Sequence, residues 1–352
     1  YCLGVFIILI LFQKEETGEM FNRLRKKSLQ LIVLTLILLF GLNFYLAQKY
    51  TIMAPGIAVD LKEIVTVENG SKDKGSFFLT TVSSHTLNLP LLIYAAIDPN
   101  VEIKPKEQVI PPGWNMNEYM EYMKKWMQES QKIAEVVALK KAGYDPQILG
   151  DGAQVVEIMP DSPAKGKLMP GDIIKKVDNE QVNIAEEVVN KVASRGIGNM
   201  VELEFERENK TMTVTLPTIE SKTEPGRSII GIYITTLNWK PILPLKIEIN
   251  TGEIGGPSAG SMFVMEILNQ LTPEDLTKGR KIAGTGTISI DEQIGEIGGV
   301  EQKVVAAVRA GAEIFFVPEK NAEAAMKAAE RFDMEVVSVK TLDDILNYLE
   351  KL

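Results

Sequence analysis

Gly255-Gly256-Pro257-Ser258-Ala259-Gly260 places a serine where a tight glycine and proline turn runs into an apolar stretch, and Ser258–Leu271 reads as the helix that follows. Glycines let another backbone approach closely. The free N–H groups and positive dipole end of the helix can hold an anion beside Ser258. Both features suit a nucleophile whose attack creates an oxyanion. On spacing alone, the same serine also serves as a plain helix N-cap. Outward from this turn, strands and helices alternate: strand Lys246–Asn250, strand Glu313–Pro318, helix Ala322–Arg331, strand Met334–Val339 and helix Leu342–Leu349. Residues 228–352 therefore read as an α/β domain.

A second constellation is Ile294-Gly295-Glu296-Ile297-Gly298-Gly299-Val300-Glu301-Gln302-Lys303, whose glycine pair opens a helix. Lys303 has Ala306, Ala307 and Ala310 on its face, so its ammonium can be pressed against backbone and desolvated. Desolvation lowers a lysine pKa from about 10.4 towards neutrality, where the amine is a base. The alternative is an exposed helix lysine with a solvated head.

The residue inventory narrows the chemistry. The 352 residues include one histidine, His85, and one cysteine, Cys2. A serine triad would have to use His85, zinc sites built from several His and Cys ligands are excluded, and no intramolecular disulfide can form. An acid/base group is then Lys, Asp, Glu or Tyr. With 38 Lys+Arg against 47 Asp+Glu the net charge is −9, which argues against non-specific binding to nucleic acid. A hydrophobic content of 45% and a charged content of 24% are those of a globular protein.

Ahead of these domains, Leu29–Ala47 carries no charge, and its 19 residues reach roughly 28 Å as a helix, enough to cross a bilayer core. Arg23, Arg25, Lys26 and Lys27 precede it, which places residues 1–28 in the cytoplasm and the chain beyond residue 50 outside. The run reads as an uncleaved signal anchor at 29–47. Leu3–Phe12 is too short to span. Residues 1–19 are expected to be an annotation extension ahead of a start at Met20, because Lys14–Glu19 can be encoded by a purine-rich stretch.

Residues 51–147 read as a β-rich region with a long helix. Phe77–Ser84 and Pro90–Ile97 are expected strands, Lys104–Gly113 a loop and Asn117–Gly143 a helix. Met116, Met120, Met123 and Met127 form a stripe on that helix, read either as an adaptable substrate surface or as a face packed on its own core. Residues 148–218 change character. They comprise strand Ala153–Met159, strand Gly171–Asp178, amphipathic helix Asn183–Arg195, and the alternating strands Met200–Arg207 and Thr211–Pro217 joined at Asn209. The expectation is a small half-open β-barrel with one helix.

Two resemblances follow. Ser162-Pro163-Ala164 and Leu168-Met169-Pro170-Gly171-Asp172 resemble a bacterial PDZ domain at 148–218. This implies capture of a peptide C-terminus by strand addition, with Ala142, Gly143 and Tyr144 as candidate binding residues. Pro257-Ser258-Ala259-Gly260, Thr285-Gly286-Thr287-Ile288-Ser289 and Ile297-Gly298-Gly299 ahead of Lys303 occur in an order that resembles the catalytic domain of Lon proteases. That resemblance implies Ser258 as nucleophile, Lys303 as general base, Thr285 as the hydroxyl that orients the lysine, and Gly256, Pro257 and Ala259 as the oxyanion turn. Gly255 stands where many members carry aspartate, and Glu253 is the conjectural substitute. The chain contains no G-x-x-x-x-G-K-[ST] phosphate loop.

The whole is similar to the membrane-anchored, PDZ-containing Lon-like proteases of Gram-positive bacteria. The fold class expected is multidomain α+β: a single transmembrane helix, a β-rich region, a PDZ-like barrel and a Lon-type α/β domain. The function expected is ATP-independent, membrane-anchored serine endopeptidase activity on unfolded or exposed extracytoplasmic segments, without cofactor or metal. The resemblance implies protein or peptide substrates and a homo-oligomer, with no nucleic-acid partner. The alternative is a non-catalytic, membrane-tethered PDZ adaptor with an inactive protease domain.

Overall fold

The computed structural model describes residues 2–71, 75–110, 114–221 and 226–352, with side chains from Lys26 onward. The side chains of Arg23 and Arg25, and the end of the expected loop at Pro111–Gly113, lie outside the described residues.

The chain opens with helix α1 (Cys2–Lys49), which runs without a break through the apolar span. Residues Lys26–Lys49 are long and apolar enough to cross a membrane. Their side chains face outward, with Leu38 65% and Phe40 75% exposed, so this is not a core helix. Strands β1 (Tyr50–Asp60) and β2 (Ser76–Thr86) follow, then helix α2 (Leu89–Ile97), edge strand β3 (Glu102–Pro105) and helix α3 (Met116–Lys141).

The expected strand over Pro90–Ile97 is helical. Asn88 caps it by accepting the Leu91 N–H at 2.9 Å, and Pro90 sits in the first turn, where its missing N–H costs nothing. A run apolar on every side carries no period to separate helix from strand, and here the cap decides.

The PDZ-like unit is built on strands β4 (Ala153–Ile158) and β5 (Ile173–Val177), helix α4 (Ala185–Ser194), and strands β6 (Met200–Arg207), β7 (Lys210–Pro217) and β8 (Ile232–Thr236). Its sheet runs in the order β7-β6-β5-β4-β8. Val201, Leu203 and Phe205 point into a core shared with Ile174, Val188 and Leu216, as the alternation requires. Asn209 takes a positive φ of 62° in the turn.

The remaining elements are helix α5 (Gly260–Leu271), strand β9 (Lys281–Gly284), helix α6 (Val300–Arg309), strand β10 (Ile314–Pro318), helix α7 (Ala322–Ala329), strand β11 (Glu335–Val339) and helix α8 (Leu342–Glu350). Strands from both ends of the chain form one six-stranded sheet, ordered β11-β10-β9-β2-β1-β3. The pairs from β11 to β2 are parallel, and β2-β1-β3 are antiparallel. Helix α5 packs on α3 over one core, and α6 with α7 covers another.

The structure therefore draws other bounds than a β-rich region at 51–147 beside a separate domain at 228–352. Strands β1 and β2 and helix α3 belong to the same body as β9–β11, the PDZ-like unit is inserted between them and α5, and β8 at 232–236 belongs to the inserted unit. The reason is hydrogen-bond completion. Without β1 and β2 the parallel half of the sheet would end in an open edge at β9.

Candidate active site and peptide groove

Ser258 and Lys303 lie 45 residues apart in sequence, yet Lys303 Nζ stands 2.6 Å from Ser258 Oγ. Nζ also donates to Thr285 Oγ1 at 2.8 Å. The Thr285 hydroxyl donates in turn to the Ser258 carbonyl at 3.0 Å, and the Gly286 N–H reaches that carbonyl at 2.8 Å. The three expected residues thus form a closed hydrogen-bonded ring. Lys303 is 3% and Thr285 1% exposed, while Ser258 is half-buried and open to a substrate. Burial pushes the Lys303 ammonium down to about 7.

Local sequence explains each position. Gly299 caps α6 in the left-handed region at φ 68°, and a Cβ there would meet Val82 Cγ2 at 2.7 Å. Its carbonyl accepts the Lys303 N–H. Asn321 clamps the preceding loop through both amide atoms, accepting from the Ile297 N–H at 2.9 Å and donating to the Ile297 carbonyl at 3.0 Å. Thr285 follows β9 directly and is tied to Phe316 on the neighbouring strand.

The nucleophile turn is held by α3. Gly256 adopts φ 94° and donates its N–H to Met123 O at 2.8 Å, and Ser130 Oγ donates to Pro257 O at 2.9 Å. The Gly256 amide is thereby spent and Pro257 has no N–H, so these two shape the turn and do not donate to an oxyanion. Among the described residues no backbone acceptor takes the Ser258 or Ala259 N–H at the entrance of α5, which leaves them as candidate donors. The methionine stripe divides: Met127 is in the core, Met123 abuts the turn, and Met120 is exposed. Ser130 carries no signal in the sequence, and Met123 shows there only as part of the methionine stripe, because the contact of both with the turn depends on α3 crossing it.

Glu253 does not replace the missing aspartate. It is exposed and paired with Lys124 at 2.6 Å. His85 is an exposed residue near the end of β2, hydrogen-bonded to Ser83 and not to a member of this ring.

Ala142, Gly143 and Tyr144 are not a peptide loop. They terminate α3: their N–H groups bond to the carbonyls of Ala138, Lys140 and Leu139, with Gly143 at φ 87° as the helix stop. The PDZ-like unit carries a cleft at another place. A cleft of about 230 Å³ separates α4 from the sheet-edge strand β8, lined by Val188, Val189, Val192, Ile230, Ile232 and Ile234. Sequence reading missed it because β8 falls beyond residue 218; the alternation of Ile232 and Ile234 after Gly231 was the available signal.

Residues 245–351 match the family described as the Lon protease (S16) C-terminal proteolytic domain, and residues 134–218 match the PDZ domain family. Over 120 residues the chain is 35% identical to the Lon protease of Mycoplasma pneumoniae, covering 32% of this chain and 15% of that protein. Over 100 residues it is 37% identical to the Lon protease of Trichlorobacter lovleyi, covering 27% of this chain and 12% of the other. Among solved structures, the PDZ domain of an SdrC-like protein from Listeria monocytogenes is 25% identical, covers 24% of this chain and 87% of its own, and has a TM-score of 0.22. The chain spans a small part of the curated relatives it matches, and the match to the Lon protease C-terminal proteolytic domain falls on the body that holds Ser258, Thr285 and Lys303, with the match to the PDZ domain family ahead of it in the chain.

Proposed function

We propose that the chain is a membrane-anchored serine endopeptidase that works without nucleotide, using Ser258 as nucleophile and Lys303 as general base. The observation that carries the reading is the 2.6 Å contact between Ser258 Oγ and a lysine whose burial holds it at about 7. A neutral amine accepts the serine proton as Oγ attacks the scissile carbonyl. The tetrahedral oxyanion meets the Ser258 and Ala259 N–H groups. Lys303 then returns the proton to the leaving amine as the C–N bond breaks, and later deprotonates the water that hydrolyses the acyl ester. Thr285 holds Nζ in line throughout.

In this reading α1 anchors the chain, residues beyond 50 are extracytoplasmic, and substrates are unfolded or exposed protein segments. The cleft beside β8 receives a peptide C-terminus as an added strand, since the outer edge of β8 is the end of its sheet.

The test is nucleotide-free cleavage of an unfolded protein by the full chain in detergent or nanodiscs, against Ser258→Ala. Loss of turnover by at least about 1,000-fold with unchanged circular dichroism supports the reading. Equal cleavage by the variant overturns it, as does wild-type inactivity with a well-ordered peptide-binding domain, which would favour the adaptor.

A further inference from the structure

Helix α2, Leu89–Ile97, has no polar face: its sequence is LPLLIYAAI. One side is accounted for. Leu89, Leu91, Leu92 and Ala95 pack on a small core made by Leu46, Ile52 and Leu87. The other side is bare, with Ile93 63% and Ile97 76% exposed. Contiguous exposed aliphatic surface of this kind marks a contact with something apolar.

The position of α2 identifies the contact. Asn43, within the apolar span of α1, accepts the Leu89 N–H at 3.0 Å, and Leu87 donates its N–H to Tyr50 O at 3.1 Å. Leu46 of the same span is part of the core beneath α2. Asn43 precedes the end of α1 at Lys49 by six residues, about 9 Å along the helix. Amphipathic helices that lie on membranes sink about 5–10 Å into the boundary between headgroups and acyl chains. Tyr45 and Tyr50 meet edge to face, ring centroids 6.5 Å apart, at the level where tyrosines mark a membrane interface. Beyond Ile97 the chain turns polar: Asp98 accepts from the Tyr94 hydroxyl at 3.2 Å and lies 3.8 Å from Arg309.

We infer that α2 is a second membrane contact, lying in the outer interfacial layer of the bilayer that α1 crosses, with Ile93 and Ile97 against lipid. This rests on the reading of α1 as a membrane anchor and adds to it a fixed orientation. A single helix leaves a domain free to swivel, whereas two contacts braced by one core hold the sheet at a set attitude to the surface. Strand β3 pairs with the start of β1 and is carried to the same level.

The experiment places an environment-sensitive fluorophore on a cysteine in the Cys2→Ser full chain, reconstituted in nanodiscs with and without brominated lipid. The sites are Ile93, Ile97, Leu38 in the span and Met326 on α7, which is exposed far along the chain. Brominated lipid is expected to quench labels at 38, 93 and 97 at least threefold more than the label at 326. Quenching at 38 with 93 and 97 matching 326 overturns the α2 inference and leaves the anchor standing. No quenching at 38 overturns both. A blue-shifted but unquenched label at 93 and 97 means that protein covers the face, and also overturns it.

Discussion

The corner around Lys303 and the junction around Glu186 both hold a titratable group poised near neutrality, but they are built differently. In the corner, buried Lys303 and Thr285 are tied with half-buried Ser258 in one ring within a single body. At the junction, Glu186 at the start of α4 accepts the Ile290 N–H at 3.1 Å across a wide cleft of about 350 Å³ that Trp126, Trp239 and Ile184 also line. Burial raises Glu186 to about 7, with the Ile290 bond opposing it, while burial lowers Lys303 to about 7. The same physical cause moves an acid and a base in opposite directions. In the corner it suits the lysine to the part of a base, and at the junction it predicts that the contact with Ile290 depends on pH.

The largest expected effect is Lys303→Met, which should abolish cleavage while stabilising the protein. The folded pKa of Lys303 is below its unfolded value, so the folded state binds fewer protons between about pH 7 and 10.5. Its cost is full below pH 7 and fades as pH rises through that window. The methionine variant should therefore gain roughly 4 kcal/mol at pH 6–7 and nothing near pH 11, checked by urea unfolding at several pH values. Wild-type kcat/KM should rise through about pH 7 and then level. A stability gain independent of pH would break the contrast.

Thr285→Val removes the acceptor that aligns Nζ. A 10- to 100-fold fall in kcat with little change in KM is expected from steady-state kinetics. A change confined to KM would show that Thr285 binds substrate and does not orient the base. On the PDZ side, Val189→Lys in the half-buried wall of the cleft should weaken binding of a carboxyl-terminal peptide about tenfold by fluorescence anisotropy. Cleavage of an unfolded protein that lacks such a tail should persist.

The smallest effect is expected for Glu186→Gln. With its raised folded pKa, Glu186 stabilises the junction most below about pH 4.5, and this is lost as pH rises through about 7. Partial exposure screens it to about 1 kcal/mol or less. Hydrogen exchange at Ile290 between pH 5 and 8 should depend on pH in the wild type and become flat in the variant.

Much of the site was legible because its parts are local. A glycine pair before a helix, a serine after glycine and proline, and a lysine on an alanine face each declare themselves within ten residues. The serine turn was only half legible: Pro257 lacks an N–H by its chemistry, but the engagement of the Gly256 amide with Met123 depends on a helix from another part of the chain. The weak peptide-loop candidate at 142–144 failed for the opposite reason. Gly143 there is a helix stop, a local device that resembles a binding turn when the helix carbonyls are out of view.

By itself the sequence determined the apolar span of α1, the alternating strands of the PDZ-like unit, and the choice of Ser258, Thr285 and Lys303 as the candidate site. All are encoded in periodicity or in residues a few positions apart. Only the tertiary structure decided that β1 and β2 complete the six-stranded sheet, that β8 joins the PDZ-like unit from beyond residue 218, and that α2 is a helix lying beside the end of α1. Those outcomes rest on edge hydrogen bonds and apolar surfaces finding partners distant in the sequence, and a partner leaves no period in the strand that awaits it.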